Sequence, residues 1–140
     1  MSDRTLMNRI ILIFAGFIVT SSYSYSQFTL KIEITDLRNN TGKVMLQVFN
    51  EKEKVINEEM SDIIENSCVF TIKNLKPGKY AVRYYHDENL NQVMETNMVG
   101  KPTEGYGFSN NVTSRFSMPP FEKWIVSLNH DTTIVLKTVY

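Results

Sequence analysis

The chain has 140 residues, with 15 lysines and arginines against 15 aspartates and glutamates, and a single cysteine. That balance removes the basic face nucleic-acid binders carry, so no nucleic-acid partner is expected, and a lone Cys68 excludes an internal disulfide. A fold of this size has to be held by packing one modest core, helped at most by an ion.

Arg4 and Arg9 flank the start of an apolar run over 10–19, and Ser24-Tyr25-Ser26 then supplies the small-x-small spacing of a cleavage site. The run is about ten residues, well short of the ~20 that span a bilayer. Residues 1–26 are therefore expected to be a signal peptide cut before Gln27. Residues 27–140 are expected to be one exported domain, periplasmic or extracellular, with no membrane span after cleavage.

Period-two alternation dominates the rest of the chain. In 27–36, Phe28, Leu30, Ile32 and Ile34 share one face and Thr29, Lys31, Glu33 and Thr35 the other, the pattern of a half-buried strand. Asn39–Gly42 is turn chemistry, and 43–50 returns with Val44, Leu46 and Val48 aligned, so the two strands are expected to pair as a hairpin. The charged segment 51–65 reads as a surface connection with room for a helical turn or a short edge strand. A strand over 67–73 aligns Cys68, Phe70 and Ile72, which makes Cys68 a buried structural thiol.

Asn74–Gly78 is a turn in which Pro77 presets φ and Gly78 is expected to take the positive φ of a type II turn. A strand over 79–86 aligns Tyr80, Val82 and Tyr84. A long segment over 99–120, rich in Gly, Asn, Ser and Pro, leads to closing strands at 121–129 and 132–140. Short strands joined by turns, with no amphipathic helix of useful length, predict an all-β, antiparallel β-sandwich. The predicted core includes Ile32, Leu46, Phe70, Ile72, Tyr80 and Val82.

The candidate chemistry lies in 86–108. Oxygen-bearing side chains fall at alternate positions, Asp87, Asn89 and Asn91, with Glu95 following. A Ca²⁺ ion wants six to eight converging oxygens, and a tight loop with ligands at alternate residues supplies them. In that reading Asp87, Asn89, Asn91 and Glu95 are side-chain ligands and Val93 offers its carbonyl. The other reading is a set of Asx-turns, in which the same side chains bond the local backbone. His86 and His130 are the only histidines, too few for a zinc site without other soft ligands. His86 either forms an acid–base pair with Asp87 or Glu104 or fixes the loop by a hydrogen bond. Tyr106 and Phe108, alternating with glycines, either present a platform for a sugar or peptide or bury their rings against the sandwich.

Two blocks carry a resemblance. Asn74-Leu75-Lys76-Pro77-Gly78-Lys79-Tyr80-Ala81-Val82 resembles the turn-and-strand signature of prealbumin-like (transthyretin-like) sandwich modules. His86-Asp87-Glu88-Asn89 with Asn91, followed by Gly100-Lys101-Pro102-Thr103-Glu104-Gly105-Tyr106-Gly107-Phe108-Ser109-Asn110-Asn111, resembles the secreted bacterial family known as domain of unknown function 2141. The resemblance covers nearly all of 27–140. It implies an immunoglobulin-like or prealbumin-like β-sandwich of about seven strands in an exported protein, and it implies no activity. The family's loop reads like His-Asp-x-Asn-Gly-Asn-Gly-x-Leu-Asp. Here Leu90 and Gln92 stand at the glycines and Met94-Glu95 at Leu-Asp, removing the residues that take positive φ most easily.

The expected function is a non-enzymatic β-sandwich module in binding or structure at the cell envelope, with an envelope protein or glycan as partner and no cofactor beyond Ca²⁺. The alternatives are a carbohydrate- or peptide-binding domain using Tyr106, Phe108 and Trp124, and an enzyme of unfamiliar kind using His86 and nearby carboxylates.

Overall fold

The computed structural model describes residues 26–114 and 117–140. The expected leader over 1–26 lies outside the described residues except for Ser26. Eight strands run in order: β1 Phe28–Thr35, β2 Lys43–Asn50, β3 Val55–Ser61, β4 Cys68–Leu75, β5 Gly78–Asp87, β6 Tyr106–Phe108, β7 Ile125–Leu128 and β8 Thr132–Lys137. Two short 3₁₀ turns cover Ser109–Asn111 and Phe121–Trp124. One sheet has the order β4-β1-β8, and the other β3-β2-β5-β6 with β7 also paired to β5. All pairings between these strands are antiparallel except β1 with β8. The domain is thus an all-β sandwich, with one strand more than the roughly seven expected from the resemblance. Among the described residues no helix is long and apolar enough to cross a membrane.

The alternation read from the sequence decides which side chains meet between the sheets. Leu30, Ile32 and Ile34 of β1 face Val44, Leu46 and Val48 of β2, with Phe70, Ile72, Tyr80, Val82, Tyr84 and Leu136 completing the core. Each such side chain, fully buried, contributes about 1.5–3 kcal/mol relative to exposure. Cys68 lies in the same core, and burial pushes its thiol up from 9.0 to about 12. Residues of opposite phase on the five-stranded sheet build a second, smaller cluster on its outer face: Phe49, Ala81, Phe108 and Trp124, with Phe121 packed against them.

Three expectations are corrected. First, β1 and β2 do not form a hairpin: they lie in opposite sheets, and 36–42 carries the chain across. Asp36 takes φ 61 there, and Leu37 is buried while its N–H donates to Asn66 O at 3.1 Å. An apolar face states that a strand is half-buried, not which sheet it joins. Secondly, Gly78 does not take positive φ; Asn74 does, at φ 60. The left-handed residue serves the bulge where β4 slips against β1, between the Leu30–Ile72 and Phe28–Leu75 pairs. Thirdly, the strands expected over 121–129 and 132–140 are shorter. A 3₁₀ turn takes Phe121–Trp124, and after β8 the chain crosses to exchange both Tyr106–Val139 backbone bonds at 2.9 Å, closing the sandwich against β6. The segment 51–65 contains the edge strand β3.

Candidate functional site

His86 belongs to the inward-facing set of β5, with Tyr80, Val82 and Tyr84, and is fully buried. A buried imidazole needs partners for both nitrogens. Nε2 lies 2.6 Å from the Thr41 carbonyl, which only accepts, so Nε2 carries the hydrogen and donates it. Nδ1 is then the acceptor for the Tyr140 hydroxyl at 2.8 Å. The Tyr140 oxygen also accepts from Arg38 N at 2.9 Å, and burial holds its hydroxyl above the ordinary tyrosine range. The Arg38 guanidinium lies 4.6 Å over the Tyr140 ring and pairs with Glu88 Oε1 at 2.7 Å.

Two glycines let backbones close around this cluster. A Cβ on Gly42, at φ +77, would stand 2.0 Å from Asp87 O, and one on Gly105 would stand 2.5 Å from the Tyr140 ring. The Gly105 carbonyl accepts from His86 N at 2.7 Å.

Beyond His86 the chain leaves β5 into a loop pinned by two buried carboxylates. Asp87, 1 % exposed, accepts from Asn91 N at 3.1 Å and from Gln92 N at 2.8 Å, one on each oxygen. Glu104, 4 % exposed, accepts from Glu88 N and Glu95 N, both at 3.2 Å. Asn89 Oδ1 accepts from Asn91 N and Asn91 Oδ1 from Val93 N, which are Asx-turns. Glu95 Oε1 takes both amide groups, Asn89 Nδ2 at 2.9 Å and Asn91 Nδ2 at 3.0 Å. Leu90 and Gln92 each take φ 59, so the positions where the resembling loop has glycines carry left-handed backbone here.

Residues 32–135 match the family described as "Uncharacterized protein conserved in bacteria (DUF2141)". The chain belongs to that family. No curated protein and no solved structure matches it.

In this DUF2141 domain, Asp87, Asn89, Asn91 and Glu95 meet in one loop, and Val93 joins it through its N–H. Among the described residues no three His, Cys, Asp or Glu side chains group as metal ligands. His86 does not pair with Asp87 or Glu104: the carboxylate facing its ring is Glu88, at 3.8 Å, beyond hydrogen-bond reach. Nor do Tyr106, Phe108 and Trp124 make an open platform. Phe108 and Trp124 meet edge-on at 4.8 Å and Tyr106 and Phe108 at 6.1 Å, and Trp124 is only 2 % exposed. The rings fill the outer cluster because Gly107 lies against Tyr84, where an added Cβ would be 2.5 Å from its hydroxyl.

Several residues have roles that no local pattern assigned: Tyr140, Thr41 and Arg38 around His86, and Ser109 beside Val82. β5 pairs with β7 through Ala81 and with β6 from Arg83, which leaves Val82 N without a strand partner. The buried Ser109 hydroxyl accepts it at 2.9 Å and donates to Trp124 O. The one usable signal was indirect. A histidine in the inward phase of a strand requires two partners from elsewhere in the fold.

Proposed function

We propose that this domain is an exported, non-enzymatic module of the cell envelope, working through binding or structure. The observation that carries the reading is the closure of the His86 site. Both imidazole nitrogens are engaged by Thr41 and Tyr140, and both oxygens of Asp87 and of Glu104 are engaged by backbone N–H groups. A general acid or base must come within hydrogen-bond reach of its substrate, and a fully buried His86 offers no approach. These groups build the end of the sandwich. Diethyl pyrocarbonate should acylate the exposed His130 and leave His86 untouched in the native protein. Equal rates at both would overturn the reading. Export rests on the arginine-flanked apolar run and Ser24-Tyr25-Ser26. Intact mass of protein from the periplasm or medium should place the first residue at or within a few positions of Gln27, and retention of Met1 would refute export by cleavage.

A second reading, weak Ca²⁺ binding by the 87–95 loop, is favoured by backbone shape. Leu90 and Gln92 hold φ 59 at the fourth and sixth positions counted from Asp87, and the sixth is where a calcium loop makes its sharp glycine turn. Asp87, Asn89, Asn91 and Glu95 would supply side-chain oxygens and Val93 its carbonyl. With only two carboxylates in that set, affinity belongs to the roughly 10⁻⁴–10⁻³ M class of extracellular modules.

A further inference from the structure

β3 ends the five-stranded sheet, and every one of its seven residues is exposed or half-buried. Its free side presents unpaired N–H and C=O groups, a template for another strand. Val55, Ile56 and Met60 are each more than 40 % exposed. On the sheet's outer face Met60 sits opposite Met45, and Met45 opposite Tyr85; in the next row Glu58 sits opposite Gln47, and Gln47 opposite Arg83. Met45, Gln47, Glu58, Met60 and Tyr85, with Glu59 and Gln92, line a shallow groove of about 480 Å³ that opens beside the β3 edge.

Charge selects what fits. Over 51–65, Glu51, Glu53, Glu58, Glu59, Asp62 and Glu65 outnumber Lys52 and Lys54. Glu58 accepts from the Gln47 amide and Glu59 from the Asn57 amide at 3.1 Å, both neutral donors. Among the described residues neither carboxylate meets a lysine or arginine at ion-pair distance. Carboxylates beside a tyrosine face and two thioethers suit a lysine or arginine side chain, by ion pairing and by cation–π contact. A second β3 laid along the edge would bring like charges face to face, which is destabilising.

We propose that the β3 edge and its groove bind an extended, basic segment of a partner protein by strand addition. Main-chain bonds to β3 hold the segment, and because strand side chains alternate, every second one falls on the outer face beside Glu58, Met60 and Tyr85. Apart from Gln92 at the groove's rim, the site lies on different residues from the His86 cluster and the 87–95 loop, and it does not depend on ion binding there.

The test uses three eight-residue peptides: alternating Lys and Val, alternating Glu and Val, and the Lys–Val peptide N-methylated at alternate residues so that it cannot complete a ladder. Binding is followed by titration calorimetry and by amide hydrogen exchange. The Lys–Val peptide should bind and slow exchange of alternate β3 amides. The Glu–Val peptide should not bind, and N-methylation should weaken binding by roughly tenfold or more. Glu58→Gln, an exposed change that keeps the side-chain shape, should weaken it roughly two- to fivefold with the melting temperature unchanged, and Glu59→Gln, in the opposite phase of β3, should weaken it less. Absence of binding by the Lys–Val peptide, equal binding of the N-methylated form, or protection at β4 instead of β3 would each overturn the proposal.

Discussion

His86 Nδ1 and the Tyr140 hydroxyl lie 2.8 Å apart, and that bond ties the end of β5 to the segment that comes after β8. The same hydroxyl accepts from Arg38 N, so one oxygen joins three stretches remote in sequence. Tyr140→Phe keeps the ring against Gly105 and beneath Arg38 but removes the oxygen. It leaves a buried imidazole nitrogen without its donor and the Arg38 N–H without its acceptor. The expected cost is about 1–3 kcal/mol, the penalty for unsatisfied polar groups, read from urea denaturation. A loss under about 0.5 kcal/mol, the size usual at surface sites, would show that the bond does not organise the site.

Phe70 and Val69 are neighbours on opposite faces of β4, one 3 % and the other 50 % exposed. Phe70→Ala should therefore cost about 3–5 kcal/mol by loss of burial and creation of a cavity. Val69→Ala should stay within about 0.5 kcal/mol. Comparable losses in both variants would contradict the face assignment.

How legible each element is in the sequence depends on how local its signal is. The inward faces of β1, β2, β4 and β5 were legible because burial on one side of a strand imposes a period of two. Which strand joins which sheet was not, since β1 pairs with β4 and with β8 across long separations, and no local pattern records that choice. β3 is exposed on both faces and shows no alternation, so it looked like a surface connection. β6 is three residues long with a glycine at its centre. In the site, the spacing of Asp87, Asn89, Asn91 and Glu95 pointed to one loop. The left-handed backbone at Leu90 and Gln92 was foreshadowed only by the glycines of the resembling family. The partners of His86 are each dozens of residues away, so nothing nearby could name them.

Cys68 gives a pH prediction. Burial raises the thiol from 9.0 to about 12 in the folded protein, so the native state favours the neutral form. Its contribution is complete below pH 9 and is lost as pH climbs from there towards 12. Wild-type stability should fall relative to Cys68→Ala above pH 9, by on the order of 1 kcal/mol at pH 10. Taking the difference between the two proteins cancels the tyrosines other than Tyr84, whose hydroxyl Cys68 itself helps to raise. Alkylation by iodoacetamide at pH 8 should require unfolding, because the thiolate is the nucleophile. Parallel pH profiles for both proteins would remove Cys68 from the balance.

The last prediction concerns the loop after His86. At a Kd near 1 mM, 10 mM free Ca²⁺ should stabilise the native state by about 1.4 kcal/mol, because the unfolded chain has no assembled site. In a domain of this size that shift is several degrees of melting temperature. Glu95→Gln should abolish it, since the amide keeps an acceptor for Asn89 and Asn91 but removes a charge. Asp87→Ala should abolish it too, but with a loss of basal stability, because Asp87 also satisfies the N–H groups of Asn91 and Gln92. Asn97→Ala should leave the shift in place: Asn97 Oδ1 accepts from Val99 N and Lys101 N in a separate turn. Leu90 and Gln92 at φ 59 carry a left-handed cost of about 1 kcal/mol or more each. The double change Leu90→Gly with Gln92→Gly removes that cost from the native loop as the structure shows it, so it should raise basal stability and leave the Ca²⁺ shift close to that of the wild type. Identical melts in calcium and in chelator for wild type and for the double glycine variant would leave the Asx-turns as the whole purpose of these side chains.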